Sequence, residues 1–120
     1  MEKLTQQEEE AMQVIWQFGR GYTKDFLNLI AVNKPPYTTF ASTIKNLERK
    51  GFLTSEKVGN SIRYNPAIAE KEYKRKFMNG FVNDYFQNSY KELVTFFADE
   101  NKITATELEE IIKLVKKRKS

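Results

Sequence analysis

The chain contains no cysteine and no histidine. Those two zeros exclude a disulfide framework, a thiol nucleophile, a Cys/His zinc site and imidazole acid–base chemistry. Nucleophiles and bases are confined to Ser, Thr, Lys, Tyr, Asp and Glu, and no convergent set of them stands out, so an enzyme is the least expected outcome and no cofactor or metal is implied. The acidic runs Glu8-Glu9-Glu10, Asp99-Glu100 and Glu107/Glu109/Glu110 read as solvated helix starts or turns, where carboxylates suit the helix dipole. No apolar run approaches the ~18 residues of a membrane span, and Met1–Thr5 lacks the apolar core of a signal peptide. A cytoplasmic chain without a membrane partner is expected. With only three prolines and five glycines, each one is informative as punctuation.

What is present fits one small domain with an extension: 120 residues, a net charge of +4, 40 % hydrophobic and 30 % charged residues. The charge is unevenly spread. Residues 1–19 carry net −3, residues 20–65 net +5 and residues 66–120 net +2. The middle segment is therefore the part suited to an anionic partner.

Thr5-Gln-Gln-Glu8 is a capping box, followed by Met12, Ile15 and Trp16 at helical spacing and by Gly19 and Gly21 as stops. Thr23 is expected to cap a second helix carrying Phe26, Leu27 and Ile30, which fades by Asn33 before Lys34-Pro-Pro36. A third helix starts near Thr38 or Thr39, buries Phe40, Ile44 and Leu47, and ends at Gly51. Phe52–Val58 and Ser61–Tyr64 read as strands of a tight hairpin turning at Gly59-Asn60, with Asn65-Pro66 as its end. The remainder is helical, with a possible break at Asn88-Ser89 and a second capping box at Thr104–Glu107, where Ile103 and Leu108 are placed as a hydrophobic staple.

Three helices followed by a two-stranded hairpin is the order of a winged helix-turn-helix, in which the third helix enters the major groove. The expected fold is thus mostly α: a winged-helix DNA-binding domain over 1–66 and a helical dimerisation region over 67–120. Thr38, Thr39, Ser42, Thr43, Lys45, Asn46 and Arg49 on the third helix, and Lys57, Asn60, Ser61 and Arg63 on the wing, are the candidate contacts to double-stranded DNA. The hydroxyls are expected to donate to phosphates or base edges. A polar helix face taken alone is most often simply solvated; helix order, hairpin and charge together favour DNA.

Half of the sixteen aromatic residues fall between 73 and 97. An aromatic stripe is usually core, but one or two helices cannot bury eight aromatics against themselves, and leaving them exposed exceeds what monomers tolerate. A homodimer is expected, with Tyr73, Phe77, Phe81, Tyr85, Phe86, Tyr90, Leu93, Phe97, Leu108, Ile111, Ile112 and Val115 at its interface. Two-fold symmetry also matches an inverted-repeat operator.

The chain resembles the penicillinase repressors (the BlaI/MecI/CopY group) over nearly its whole length. The resemblance rests on Leu4-Thr5-x-x-Glu8 with Met12 and Ile15-Trp16, Tyr37-Thr-Thr39, Thr43-Ile, Leu47-Glu-Arg-Lys-Gly-Phe52, Tyr64-x-Pro66, Ser89-x-x-x-Leu93-Val and Glu107-Leu-x-x-Ile111. It implies a homodimeric winged-helix repressor whose dimerisation region is cut, on induction, by the zinc-protease domain of a membrane sensor. The family's scissile Asn–Phe bond aligns with Phe96-Phe97, so Phe97 matches and Phe96 stands in place of Asn. The copper-responsive branch binds metal through C-terminal cysteines, which this chain lacks. Two alternatives to the repressor stay open: a ligand-responsive winged-helix regulator, and a winged-helix protein-interaction module that never touches DNA. Replacing Lys45 or Arg63 by Ala weakens operator binding in a repressor and leaves the interaction module intact.

Overall fold

The computed structural model describes residues 2–119 and contains α1 (Gln6–Phe18), β1 (Gly21–Tyr22), α2 (Thr23–Asn28), α3 (Tyr37–Arg49), β2 (Leu53–Val58), β3 (Ser61–Pro66), α4 (Glu70–Phe86), α5 (Tyr90–Asp99) and α6 (Ala105–Lys119). It is mostly helical with one small antiparallel sheet, as a winged helix followed by further helices requires. The chain divides into two compact units, the first ending at Lys74 and the second starting at Arg75.

In the first unit, the Thr5 capping box closes as the sequence indicates: Glu8 N donates to Thr5 Oγ1 at 3.2 Å and Thr5 N to Glu8 Oε1 at 2.9 Å. Ala11, Met12 and Ile15 on α1 then meet Phe26 on α2, and Phe40, Ile44 and Leu47 on α3, with Phe52, Leu53 and Tyr64 closing the core. Each of the larger side chains removed from water there contributes about 1.5–3 kcal/mol. Trp16 lies at the edge, its Nε1 donating to Ile68 O at 2.8 Å. Tyr73 packs on the Trp16 and Phe52 rings at centroid distances of 5.4 and 5.6 Å.

Four local expectations are corrected. Gly21, expected only as a stop, opens a two-residue strand with Tyr22: Gly21 pairs with Tyr64 and Tyr22 with Arg63, so the sheet has the order β1-β3-β2. A Cβ on Gly21 would meet a Phe18 ring carbon at 2.6 Å, which explains glycine there. Thr23 is the first residue of α2 rather than its cap; Tyr22 is the cap, and its N–H donates to Asp25 Oδ2 at 2.9 Å. The same helix ends at Asn28, short of Ile30. The wing's second strand runs on to Pro66, which tolerates its place as the final residue opposite Leu53 because no further ladder donor is needed.

In the wing, Gly59 takes φ 59° as the first turn residue between Val58 and Ser61. In the second unit, Gln87 and Asn88 adopt positive φ and break the helix where a break is expected, and Ser89 caps α5 by accepting from Glu92 N at 3.1 Å. The Thr104–Glu107 box closes in both directions, at 3.0 and 3.1 Å. Val82 is fully buried in this unit.

Candidate nucleic-acid interface

The side chains of α3 divide by helical spacing. Phe40, Ile44 and Leu47 point into the core, so positions 38, 42, 45 and 49 form the opposite row. Thr38, Thr39, Ser42, Lys45, Asn46 and Arg49 are exposed, whereas Thr43 is half-buried. Ser42 Oγ donates to Thr38 O and Thr43 Oγ1 to Thr39 O, both at 3.2 Å. Those two hydroxyl protons are therefore turned back onto the helix, and what Ser42 offers outward is acceptor capacity rather than the donor expected from sequence.

Register sorts the wing residues onto two faces. Leu53 and Tyr64 are buried, so Ser55, Lys57 and Ile62, which share their face, lie on the core side of the sheet. Ser55 Oγ donates to Glu48 on α3, tying the wing to the helix, and Lys57 is exposed on this side. Asn60 and Ser61 are exposed at the tip. Arg63 lies on the other face, directly opposite Glu56 in register. Its Nε and Nη2 donate to Glu56 Oε1 at 2.8 and 2.6 Å. The arginine's hydrogen bond, and then its charge, hold the Glu56 carboxyl below the usual range. Arg63 is thus not brought together with the exposed row of α3.

Lys50 is also removed from the basic face. Its Nζ donates to Glu8 Oε1 at 2.6 Å and to Lys3 O at 3.0 Å, with the two paired side chains only 9 % and 5 % exposed. This corrects the expectation that Glu8 is a solvated acid. Burial alone raises the Glu8 carboxyl pKa, but the hydrogen bonds from Lys50 and Thr5 and the lysine charge outweigh it and leave it lowered. Arg49 Nη1 lies 3.9 Å from Glu2, both well exposed.

An open groove of about 700 Å³ runs between α2, α3 and the wing, lined by Tyr22, Lys24, Tyr37, Lys45, Asn60 and Tyr64 among others. Burial, followed by the proximity of Glu48 and Tyr37, raises the Tyr64 hydroxyl pKa. Lys24 was not named from sequence among the individual contacts, although it counts toward the net +5 of residues 20–65; it stands in the first turn of its helix, the end that disfavours a cation.

The candidate dimer residues fare differently. Tyr73 belongs to the core of the first unit. In the second unit Phe81, Phe86 and Leu93 are half-buried, and Phe81 stacks near Tyr85 (4.9 Å) and Phe86 (6.1 Å), with Phe86 against Phe96 (5.8 Å). Phe77, Tyr85, Tyr90, Phe96 and Phe97 are exposed, as are Ile111, Ile112 and Val115, while Leu108 is half-buried. Met78, Val94 and Leu114 add exposed apolar area that the aromatic pattern did not identify.

The family model described as "Penicillinase repressor" matches residues 4–117. The chain belongs to the penicillinase repressor family. It is 22 % identical over 117 residues to the methicillin resistance regulatory protein MecI of Mammaliicoccus sciuri, covering 97 % of this chain and 95 % of that one. A second relative is an uncharacterized 16.5 kDa protein in the ptsI 3′ region of Latilactobacillus sakei, 30 % identical over 71 residues, or 58 % of this chain and 49 % of that one.

As a penicillinase repressor family member the protein is a DNA-binding transcriptional regulator of the repressor kind and not an enzyme. Among the described residues no cluster of three or more acidic side chains is arranged to hold a metal ion, and no helix is long and apolar enough to cross a membrane. In this chain, Lys24, Lys45 and Lys57 make no ion pair among the described residues, unlike Lys50 and Arg63.

Proposed function

We propose that the protein represses transcription as a homodimer seated on an inverted-repeat operator. Residues 1–66 form the DNA-binding domain and residues 67–120 carry the pairing function, with contacts that begin beyond Lys74. In each copy α3 lies in the major groove and presents Thr38, Thr39, Ser42, Asn46 and Lys45, with Arg49 toward the backbone. Lys57, Asn60 and Ser61 bring the wing to the flanking phosphates. The observation that carries this is the exposed row 38, 42, 45, 49 on a helix whose other face is locked into the core. Dimerisation is supported by the exposed apolar residues of the second unit, Ile111, Ile112, Leu114 and Val115 on α6 and Phe96 and Phe97 on α5.

Relief of repression by a sensor-linked protease is part of the proposal. The Phe96–Phe97 bond lies inside α5, so cleavage requires that helix to open locally first. The experiment is an anisotropy titration on the protein's own upstream DNA at two salt concentrations with scrambled competitor. A competitor-resistant, salt-sensitive complex is expected. Equal loss to scrambled DNA overturns sequence-specific repression.

A further inference from the structure

The groove between α2, α3 and the wing has a lysine on each of two walls, Lys24 from α2 and Lys45 from α3. Neither makes an ion pair among the described residues, although Glu8 and Glu56 hold other cations of the same unit. Tyr37 is exposed and Tyr22 half-buried along it, Tyr64 lines it but is buried in the core, and Ser61 lies at the wing end. The groove's carboxylate, Asp25, already accepts from Tyr22 N through Oδ2. Lys24 stands in the first turn of its own helix, where a cation gains nothing from the backbone dipoles.

A trough with cations on both sides and rings along its walls suits a chain in which fixed negative charges alternate with less polar rings. We propose that the groove seats the sugar–phosphate backbone of one DNA strand, Lys24 and Lys45 flanking a phosphate and Tyr22 and Tyr37 packing on deoxyribose. This rests on the DNA-binding function proposed above and deepens it. It makes Lys24 a positioning residue and moves Lys45 from base reading to backbone binding. Sequence discrimination then falls to Thr38, Thr39, Ser42 and Asn46. Phosphate contacts carry affinity and register but no sequence information, so the two lysines act alike on any duplex.

The test is an anisotropy titration of the full chain on a random-sequence duplex across a salt series, comparing wild type, Lys24→Gln, Lys45→Gln and Lys71→Gln. Lys71 is exposed at the start of α4, outside the groove, and controls for net charge. Lys24→Gln and Lys45→Gln are each expected to lower the slope of log K against log salt by about 0.9 per copy, or about 1.8 for the dimer, with a loss of roughly eightfold per copy at 0.1 M salt. Lys71→Gln is expected to leave both quantities as in wild type. Binding by wild type with an unchanged slope in Lys24→Gln, or an equal drop in Lys71→Gln, overturns the groove assignment while leaving DNA binding in place. Absence of wild-type binding to any duplex at low salt overturns the DNA-binding function itself, and the groove assignment with it.

Discussion

Lys50→Met removes one side of the buried ion pair while keeping most of the aliphatic stem. Glu8 is then left with Thr5 N at 2.9 Å but without its cation, in a site where the side chain is 5 % exposed. Breaking a buried pair on one side costs about 3–5 kcal/mol in general. Here the cost has a ceiling, because the stranded carboxyl can take up a proton. From its ordinary value of 4.5, that proton costs about 1.36 kcal/mol per pH unit, or about 3.4 kcal/mol at pH 7 and about 0.7 kcal/mol at pH 5. The retained Thr5 bond keeps the loss below the ceiling, so about 2–3 kcal/mol is expected at pH 7. The pH dependence has a definite sign. Wild-type Glu8 titrates below 4.5 when folded, so its contribution is complete at neutral pH and is lost as pH falls through and below 4.5. In Lys50→Met the carboxyl pKa moves upward instead, and its penalty fades as pH falls from 7 toward 5. Urea denaturation followed by Trp16, the chain's one tryptophan, reads the first unit directly because its indole is bonded to Ile68 O. The double variant with Glu8→Gln is expected to recover stability to within about 1 kcal/mol, since no buried charge is stranded. A loss below about 1 kcal/mol at pH 7, or one that does not change between pH 7 and 5, refutes the reasoning.

Further outcomes follow from other contacts. Replacing the pair together, Arg63→Ala with Glu56→Gln, is expected to change duplex affinity less than about twofold, because the two charges already cancel, whereas Lys45→Ala weakens binding severalfold; parallel anisotropy titrations compare them. Trp16→Phe loses the bond to Ile68 O and should lower stability by about 1 kcal/mol, measured by circular dichroism in urea. Thr104→Ala opens the α6 capping box and should lower the stability of the second unit by about 1 kcal/mol, seen as earlier loss of helical signal. Ile112→Asp places a charge on the proposed pairing face and is expected to convert dimer to monomer in sedimentation equilibrium; a wild-type monomer at the same concentration removes that face from the proposal.

The elements legible in the sequence were those decided by neighbours a few residues apart. Thr5 and Glu8, or Thr104 and Glu107, satisfy each other's backbone within one turn, and Phe40, Ile44 and Leu47 declare the buried side of α3 by spacing alone. What was not legible depends on partners far away in the chain. Lys50 and Glu8 are 42 residues apart, and nothing local distinguishes that lysine from the exposed Arg49 beside it. Glu56 and Arg63 become a pair only once the hairpin register is fixed, and the same register turns Arg63 away from α3. Gly21-Tyr22 is too short to show a strand period, and it exists because β3 offers it an edge. Lys24 joins the site only because α2 folds back beside α3 and the wing.

The central claim is that two copies read one DNA site through α3. Selection of bound duplexes from a random-sequence pool, followed by sequencing, tests it with no operator chosen in advance. The account predicts enrichment of an inverted repeat whose half-sites are centred about one helical turn apart, or a multiple of it. A pool that stays random after repeated rounds, or converges on a single unrepeated motif, contradicts it.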